Sequence, residues 1–152
     1  HCVFNDSNMD ALDIDISKVE VSHSTFFRSG NDSIDIMNSK VSIKKANFNH
    51  SGDKCISIGE GSNAIVSLSN FENCQLGIAI KDSSHATLNN LKFITSGSPS
   101  IALYQKNTRY TRGGTLQGSS IYGIGHNDIS LQGISVNHIP LSELKPLTQA
   151  DF

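Results

Sequence analysis

Several features are missing from this chain of 152 residues, and each absence excludes a class of protein. There is no uninterrupted apolar run of the roughly 18 residues that a membrane-spanning helix needs, so we expect no membrane insertion. Twelve basic residues against 14 acidic ones give a formal net charge of -2, which predicts no nucleic-acid binding. Tryptophan is absent and proline is scarce.

Cysteine is also rare, and three cysteines do not make a disulfide framework. Cys2 falls in a column of small inward positions and is predicted to be a buried thiol. Cys55 and Cys74 fall in different columns of the repeat described below. They do not stack directly, so no bridge between them is predicted.

The residues that are present favour an all-β fold. Short β-branched triplets, which are typical of strands, include IDI, VEV, VSI, ISI and IAI. The triplets recur at a nearly fixed interval. The clearest column is aromatic, with spacings of 22, 22, 23 and 22 residues between its members Phe4, Phe26, Phe48, Phe71 and Phe93. A fixed period of this length is typical of a solenoid, in which each repeat is one coil.

A second column consists of Leu12, Ile34, Ile56, Ile78 and Ile101. Apolar and polar residues alternate within each triplet, so the apolar set points to one face of a strand. Equivalent residues of successive coils would then lie about 4.8 Å apart. The fold class predicted is all-β, a right-handed parallel β-helix with coils of about 22 residues, because parallel crossover connections are right-handed.

The two ends depart from this period. The pattern weakens after Leu103, and residues 114–136 are interpreted as one irregular last coil. We expect a β-helix over residues 1–139 and a tail over residues 140–152, in which SELKPL forms a helical turn that caps the core. The opening HCVFND is already in register at Phe4. We therefore expect the rest of a parent chain N-terminal to residue 1.

One corner of the coils carries polar residues in register, which predicts a ridge along the solenoid. Stacking aligns Asn38, Glu60, Asp82 and Gln105, and the ridge also includes Lys81, Tyr104 and Lys106. A polysaccharide could lie there, hydrogen-bonded by the carboxylates and stacked on the tyrosine ring. The alternative is that charged residues at turns only keep the corner solvated and pair across coils.

A second cluster consists of aspartates one coil apart, namely Asp10 with Asp32 and Asp13 with Asp35. Their carboxylates would lie about 5 Å apart, where like charges raise each other's pKa or recruit a cation. Three interpretations stay open. The aspartates cap turns, with Lys54 neutralising the ladder; or all four hold calcium, the only cofactor considered; or Asp13, Asp35 and Asp32 are catalytic, since such a pair suits retaining glycoside hydrolysis.

The motifs DALDIDIS, GNDSIDI, GDKCISIGEGS and GIAIKDSS resemble the right-handed parallel β-helix repeats of bacterial cell-surface and secreted proteins. They are most similar to the repeat region beside CotH-type, spore-coat-kinase-like domains, within the pectate-lyase-like superfamily. The resemblance implies a location outside the cell or in its envelope and a polysaccharide partner. It supplies no catalytic residue, and fold alone does not give function.

We therefore predict a non-catalytic or weakly catalytic module that engages polysaccharide. One alternative is a polysaccharide lyase, hydrolase or epimerase with the aspartate cluster as its site. Another is a rigid structural spacer or adhesin stalk.

Overall fold

The β-branched triplets form strands, and the polar residues between them form the corners of coils. The computed structural model describes residues 1–97 and 99–148, apart from the side chains of Ser96 and His126. The predicted tail, residues 140–152, is thus described only as far as residue 148. Within the described residues the strands are β1 (Val3–Ser7), β2 (Leu12–Asp15), β3 (Lys18–Ser22), β4 (Thr25–Ser29), β5 (Ile34–Met37), β6 (Lys40–Lys44), β7 (Asn47–Gly59), β8 (Asn63–Lys81), β9 (His85–Ser96), β10 (Ile101–Tyr104), β11 (Thr115–Tyr122), β12 (Ile129–Leu131), β13 (Val136–Asn137) and β14 (Leu144–Lys145).

Every strand pair is parallel, and each strand pairs with its equivalent one coil away. Three faces result. One contains β2, β5, β10 and β12 with the C-terminal parts of β7 and β8; the second contains β3, β6 and β13 with the N-terminal parts of β8, β9 and β11; the third contains β1, β4 and β14 with the remaining parts of the long strands. The predicted parallel β-helix with coils of about 22 residues is confirmed.

The core is built by stacking identical side chains in successive coils. The rings of Phe26, Phe48, Phe71 and Phe93 are buried and nearly parallel, and adjacent ring centroids are 4.7 to 5.0 Å apart. Phe4 continues the stack at 4.7 Å in the first coil. The isoleucine columns fill the rest of the interior. No single coil encloses its own apolar face, so each depends on its neighbours.

The corner between the first two faces has the same backbone conformation in successive coils. Asn38, Glu60 and Asp82 have φ angles of 46°, 55° and 55°, in the left-handed region. A serine follows each corner and accepts a hydrogen bond from the coil before it, as when Ser39 N–H donates to Ser62 Oγ at 3.1 Å. The repeated serine therefore links the corners of adjacent coils.

Cys55 and Cys74 form a disulfide, so the prediction of no bridge is wrong. Their Cα atoms lie 5.6 Å apart. Cys74 stacks in register on Ser51, and Ser51 Oγ lies 3.2 Å from Cys55 Sγ in the same coil. The bridge is thus diagonal between two coils, and an alignment of columns considers only vertical neighbours.

The prediction that Cys2 is buried is also wrong, because Cys2 is exposed and free. Within the described residues it is flanked by a coil on one side, where Ser24 Oγ accepts the Cys2 N–H at 3.3 Å. Inward-pointing positions are enclosed only where coils flank them on both sides.

The C-terminal part of the described chain departs from the regular coil, as expected. Short 3₁₀ turns occur at His126–Asp128 and Leu141–Glu143, and the second of these replaces the predicted helical turn in SELKPL. Glu143 Oε2 accepts a hydrogen bond from Ser120 N–H at 2.8 Å, and β14 pairs with β11. This segment therefore covers the edge of β11. None of the helices in the described part of the chain is long and apolar enough to cross a membrane.

Replacing Phe71 by alanine should destabilise the protein strongly, because its ring is sandwiched between those of Phe48 and Phe93. We expect a loss of about 3–5 kcal/mol in the free energy of unfolding, measured by denaturant titration. Ile65→Ala is the matched control: this side chain is 52% exposed, and its loss should cost less than about 1 kcal/mol. Similar losses in the two variants would contradict the buried stack.

Replacing Cys55 and Cys74 together by serine should lower the free energy of unfolding by about 3 kcal/mol, because a bridge over this separation constrains the unfolded chain. Serine suits both positions, since Ser33 and Ser51 occupy the equivalent places in the preceding coil. Cys2→Ser is the control and should leave the free energy of unfolding unchanged. Equal stability of the oxidised protein and the double variant would count against the bridge.

Candidate functional site

The outward-facing residues of the first face form a column in register, Asp13, Asp35, Ser57, Ala79 and Ala102. They alternate with core isoleucines, which is why they point away from the interior. Ser57, Ala79 and Ala102 are nevertheless buried. Longer side chains from adjacent columns must therefore cover them.

Lys81 provides part of this cover. A Cβ atom added at Gly59 would lie 2.8 Å from Lys81 Cε, so the glycine leaves the space in which this side chain lies. From there the side chain reaches back across the coils, and Lys81 Nζ lies 4.0 Å from Asp35 Oδ1. The lysine thus crosses one full coil on the outer face.

The ammonium of Lys81 is largely enclosed and only loosely paired. The residue is 7% exposed, and its Nζ forms a long ion pair with Asp35 Oδ1 at 4.0 Å, beyond hydrogen-bond distance. Burial lowers the pKa of Lys81; the charge of Asp35 opposes this, and those of Lys106 and Lys54 add to it. A charged amine in this setting favours a ligand that carries negative charge.

Lys54 lies on the same face in a different state. Its Nζ pairs with the Asp53 carboxylate and lies 3.5 Å from Asp32 Oδ1. Burial acts to lower the pKa of Lys54, but the hydrogen bond to Asp53 and the charge of Asp32 leave that pKa raised. Two lysines of similar exposure therefore differ in how closely an acid pairs with them.

A cleft of about 400 Å³ opens beside the enclosed lysine. Charged side chains on its walls include Asp35, Glu60, Lys81 and Lys106. Both signs of charge are therefore present in one depression. Groups of this kind can hydrogen-bond hydroxyls and pair with a carboxylate on the same ligand.

Asp82, predicted to lie on the binding ridge, is only 2% exposed and faces the backbone. Its Oδ1 accepts the N–H groups of Lys106 and Asn107 at 2.7 and 2.8 Å. The carboxylate thus fixes the start of the loop after β10, and it lines the cleft while already bonded.

The other predicted ridge residues are spread over different surroundings. Asn38 is exposed and borders a separate depression with Lys40 and Gly61. Gln105 donates from Nε2 to the carbonyl of Tyr110 at 2.6 Å. Tyr104 is in register with Lys81, and burial raises the pKa of its phenol. Of the ridge, Glu60, Lys81, Asp82 and Lys106 meet at the cleft.

The four aspartates predicted as a calcium site are not gathered around one point. Asp10 Oδ1 accepts the N–H of Asp32 at 2.8 Å, and Asp32 Oδ1 accepts the N–H of Lys54 at 2.9 Å. These two carboxylates therefore cap the next coil. In residues 1–97 and 99–148, no group of three or more acidic, histidine or cysteine side chains is arranged to hold a metal ion.

Asp13 and Asp35 are the two aspartates of the cluster that do not accept a backbone N–H from the next coil, so they stay candidates for binding a cation or for catalysis. They are direct register neighbours on the outer face. Burial and the charges of Asp15, Asp35 and Asp10 raise the pKa of Asp13. The predicted mutual effect of stacked carboxylates is thus present at Asp13, and calcium binding by the four aspartates stays a prediction.

Sequence reasoning missed Ser57 and Gly59. Among the buried side-chain oxygen and nitrogen atoms of the described residues, Ser57 Oγ has no hydrogen-bond partner. The signal was available, since Ser57, Ala79 and Ala102 form a column of small outward residues beside Lys81 and Tyr104. A column of small outward residues beside a column of long ones indicates that the long side chains lie over the small ones.

The three-faced parallel coil defines the protein as a β-solenoid. Residues 1–112 match the family described as "right handed beta helix region", and the chain belongs to that family. No curated protein and no solved structure matches the chain.

Replacing Asp13 by asparagine should stabilise the protein at neutral pH, because the folded state raises the pKa of this carboxyl. A carboxyl with a raised folded-state pKa stabilises when protonated and loses that contribution as the pH rises through its folded pKa. The gain from the variant, below about 1 kcal/mol for an exposed group, should therefore disappear below pH of about 3.9. Thermal unfolding at several pH values measures it.

Glu20→Gln, on the neighbouring face, is the control and should not reproduce this pH dependence. A variant at Asp13 that is less stable than the wild type at neutral pH would contradict the repulsion. If calcium raised the melting temperature of the wild type but not of Asp13→Asn, the pair would instead be holding the cation.

Proposed function

We propose that this chain is a β-helix module that binds polysaccharide, non-catalytic or only weakly catalytic, within a bacterial cell-surface or secreted protein. The resemblance of its repeats to those beside CotH-type domains supports this context. The cleft beside Lys81 is the observation that carries most weight.

The cleft has the size and the groups to receive a sugar residue. Its volume of about 400 Å³ falls within the range of roughly 300–1,000 Å³ that small-ligand sites occupy. Asp35 and Glu60 can accept hydrogen bonds from sugar hydroxyls. Lys81 and Lys106 can donate to a carboxylate, which favours a polymer of uronic acids over a neutral one.

The sheet face extends this site along the solenoid axis. Of the outward column, Asp13 and Asp35 are accessible, whereas the following three positions are covered. An extended polymer lying along the axis would therefore meet these two aspartates and then the cleft. Asp13 lies toward one end of such a path and Lys106 toward the other. The acidic end would meet hydroxyls, and the basic end would meet carboxylates.

The Cys55–Cys74 disulfide supports a location outside the cell or in its envelope. Disulfides form and persist in oxidising compartments and are rare in the cytosol. The bridge links two coils in the buried interior, where it acts as a structural element.

A second candidate function, polysaccharide lyase, hydrolase or epimerase, is favoured by the stacked Asp13–Asp35 pair near the enclosed Lys81. The carboxylate of Asp32, the third catalytic candidate, already accepts a hydrogen bond from the Lys54 N–H. Shortening of a uronate polymer by the wild type but not by Asp35→Asn would favour the enzyme. Unchanged polymer length during long incubation would favour the binding module.

Uronate polymers such as polygalacturonate should bind more tightly than a neutral dextran, and Lys81→Met should weaken that binding roughly tenfold or more. Methionine keeps most of the length of the side chain over Gly59 and removes the charge. Calorimetry at two salt concentrations measures the effect, which salt should weaken because the contact is ionic.

Lys40→Met is the matched control, since Lys40 lies on the neighbouring face and is exposed. It should leave binding unchanged. An equal loss in both variants would indicate general attraction between charges and contradict a site at the cleft. Absence of binding to every polymer would favour the rigid spacer instead.

A further inference from the structure

We infer that Lys81 is a reactive amine, which condenses reversibly with small carboxylate-bearing aldehydes that enter the cleft. This inference is independent of polysaccharide binding. It depends on the enclosure of the amine, the charges around it and the open space beside it.

The position of the amine is the first support. The Lys81 side chain is 9% exposed, yet it lines the cleft of about 400 Å³. Its stem is held over Gly59, where a Cβ would lie 2.8 Å from Cε. The amine is therefore both enclosed and next to a space that a small molecule can occupy.

The charges facing Lys81 are the second support. Asp35 and Asp32 favour the ammonium form, while Lys106 and Lys54 and burial disfavour it, and the balance leaves the pKa of Lys81 lowered. Asp35 is too far for a hydrogen bond, with its Oδ1 4.0 Å from Nζ. A desolvated lysine beside other cations is the usual setting of an amine nucleophile.

Lys54 offers a comparison with Lys81 within the same molecule. The Lys54 side chain is 12% exposed, close to the value for Lys81, but its Nζ is bound by the Asp53 carboxylate and approached by that of Asp32. Its pKa is raised. Enclosure alone thus does not make a lysine reactive here, and Lys54 serves as a control within the same molecule.

The reaction is a condensation and needs no oxidant. The nitrogen lone pair of neutral Lys81 attacks the aldehyde carbon and forms a carbinolamine, with the proton passing from nitrogen to the carbonyl oxygen. The carbon–oxygen bond then breaks, the oxygen takes up the remaining N–H proton and leaves as water, and the carbon–nitrogen double bond of the imine forms. Ser57 lies in register with Asp35 and two residues before Gly59, on the same outer face as the Lys81 side chain.

The surrounding charges select the aldehyde. Lys106 lines the cleft, and its ammonium can pair with a carboxylate on the ligand, which offsets the repulsion from Asp35 and Glu60 on the same walls. An aldehyde with a carboxylate beside it matches both features. Glyoxylate is the smallest such compound and is the probe we would use.

The test is reductive trapping with glyoxylate and cyanoborohydride at pH 7, followed by peptide mapping of the carboxymethylated lysines. Lys81 should react roughly threefold to tenfold faster than exposed Lys40, and Lys54 should react more slowly than Lys81. The advantage over Lys40 should shrink as the pH approaches about 10.4, where ordinary lysines also become neutral.

Two variants sharpen the result. Asp35→Asn removes a charge that favours the ammonium form, so it should speed labelling of Lys81 without changing that of Lys40. Lys81→Arg should abolish labelling in this peptide alone. Labelling of Lys81 no faster than Lys40 at pH 7, or no change in Asp35→Asn, would overturn the inference.

Discussion

The stacking of identical side chains in register is the constraint on which the rest of this structure depends. Phe26 lies on Phe48, Phe48 on Phe71 and Phe71 on Phe93, at the separation that parallel strand pairing imposes. Any change of register would move apolar residues out of the interior. Because the interior fixes the register, it also fixes which outward residues become neighbours.

The candidate site follows from that register in an indirect way. A column of small residues, Ser57, Ala79 and Ala102, leaves space on the outer face, and Gly59 leaves more. Lys81 uses this space to cross a coil toward Asp35. The result is an enclosed amine at the edge of a cleft, on a face that would otherwise be a flat ladder of solvated residues.

Periodicity predicted the fold and the register because columns of phenylalanine and isoleucine have only one consistent stacking. It also predicted that Asp13 and Asp35 would be neighbours. It could not predict the direction in which each side chain points or which diagonal neighbours it contacts. Asp82 bonds the backbone of the next loop, and the Cys55–Cys74 bridge is diagonal. Rotamers and diagonal contacts depend on the corner geometry, which a repeat alignment does not contain.

The central claim is that the register encloses the Lys81 amine with only a long ion pair, 4.0 Å to Asp35 Oδ1, to offset its burial. The most direct measurement is an NMR titration that follows the side-chain amines of Lys81 and Lys40 in one sample. Our account predicts that Lys81 deprotonates at lower pH than Lys40, and that Asp35→Asn lowers its midpoint further. A midpoint for Lys81 at or above that of Lys40 would contradict it.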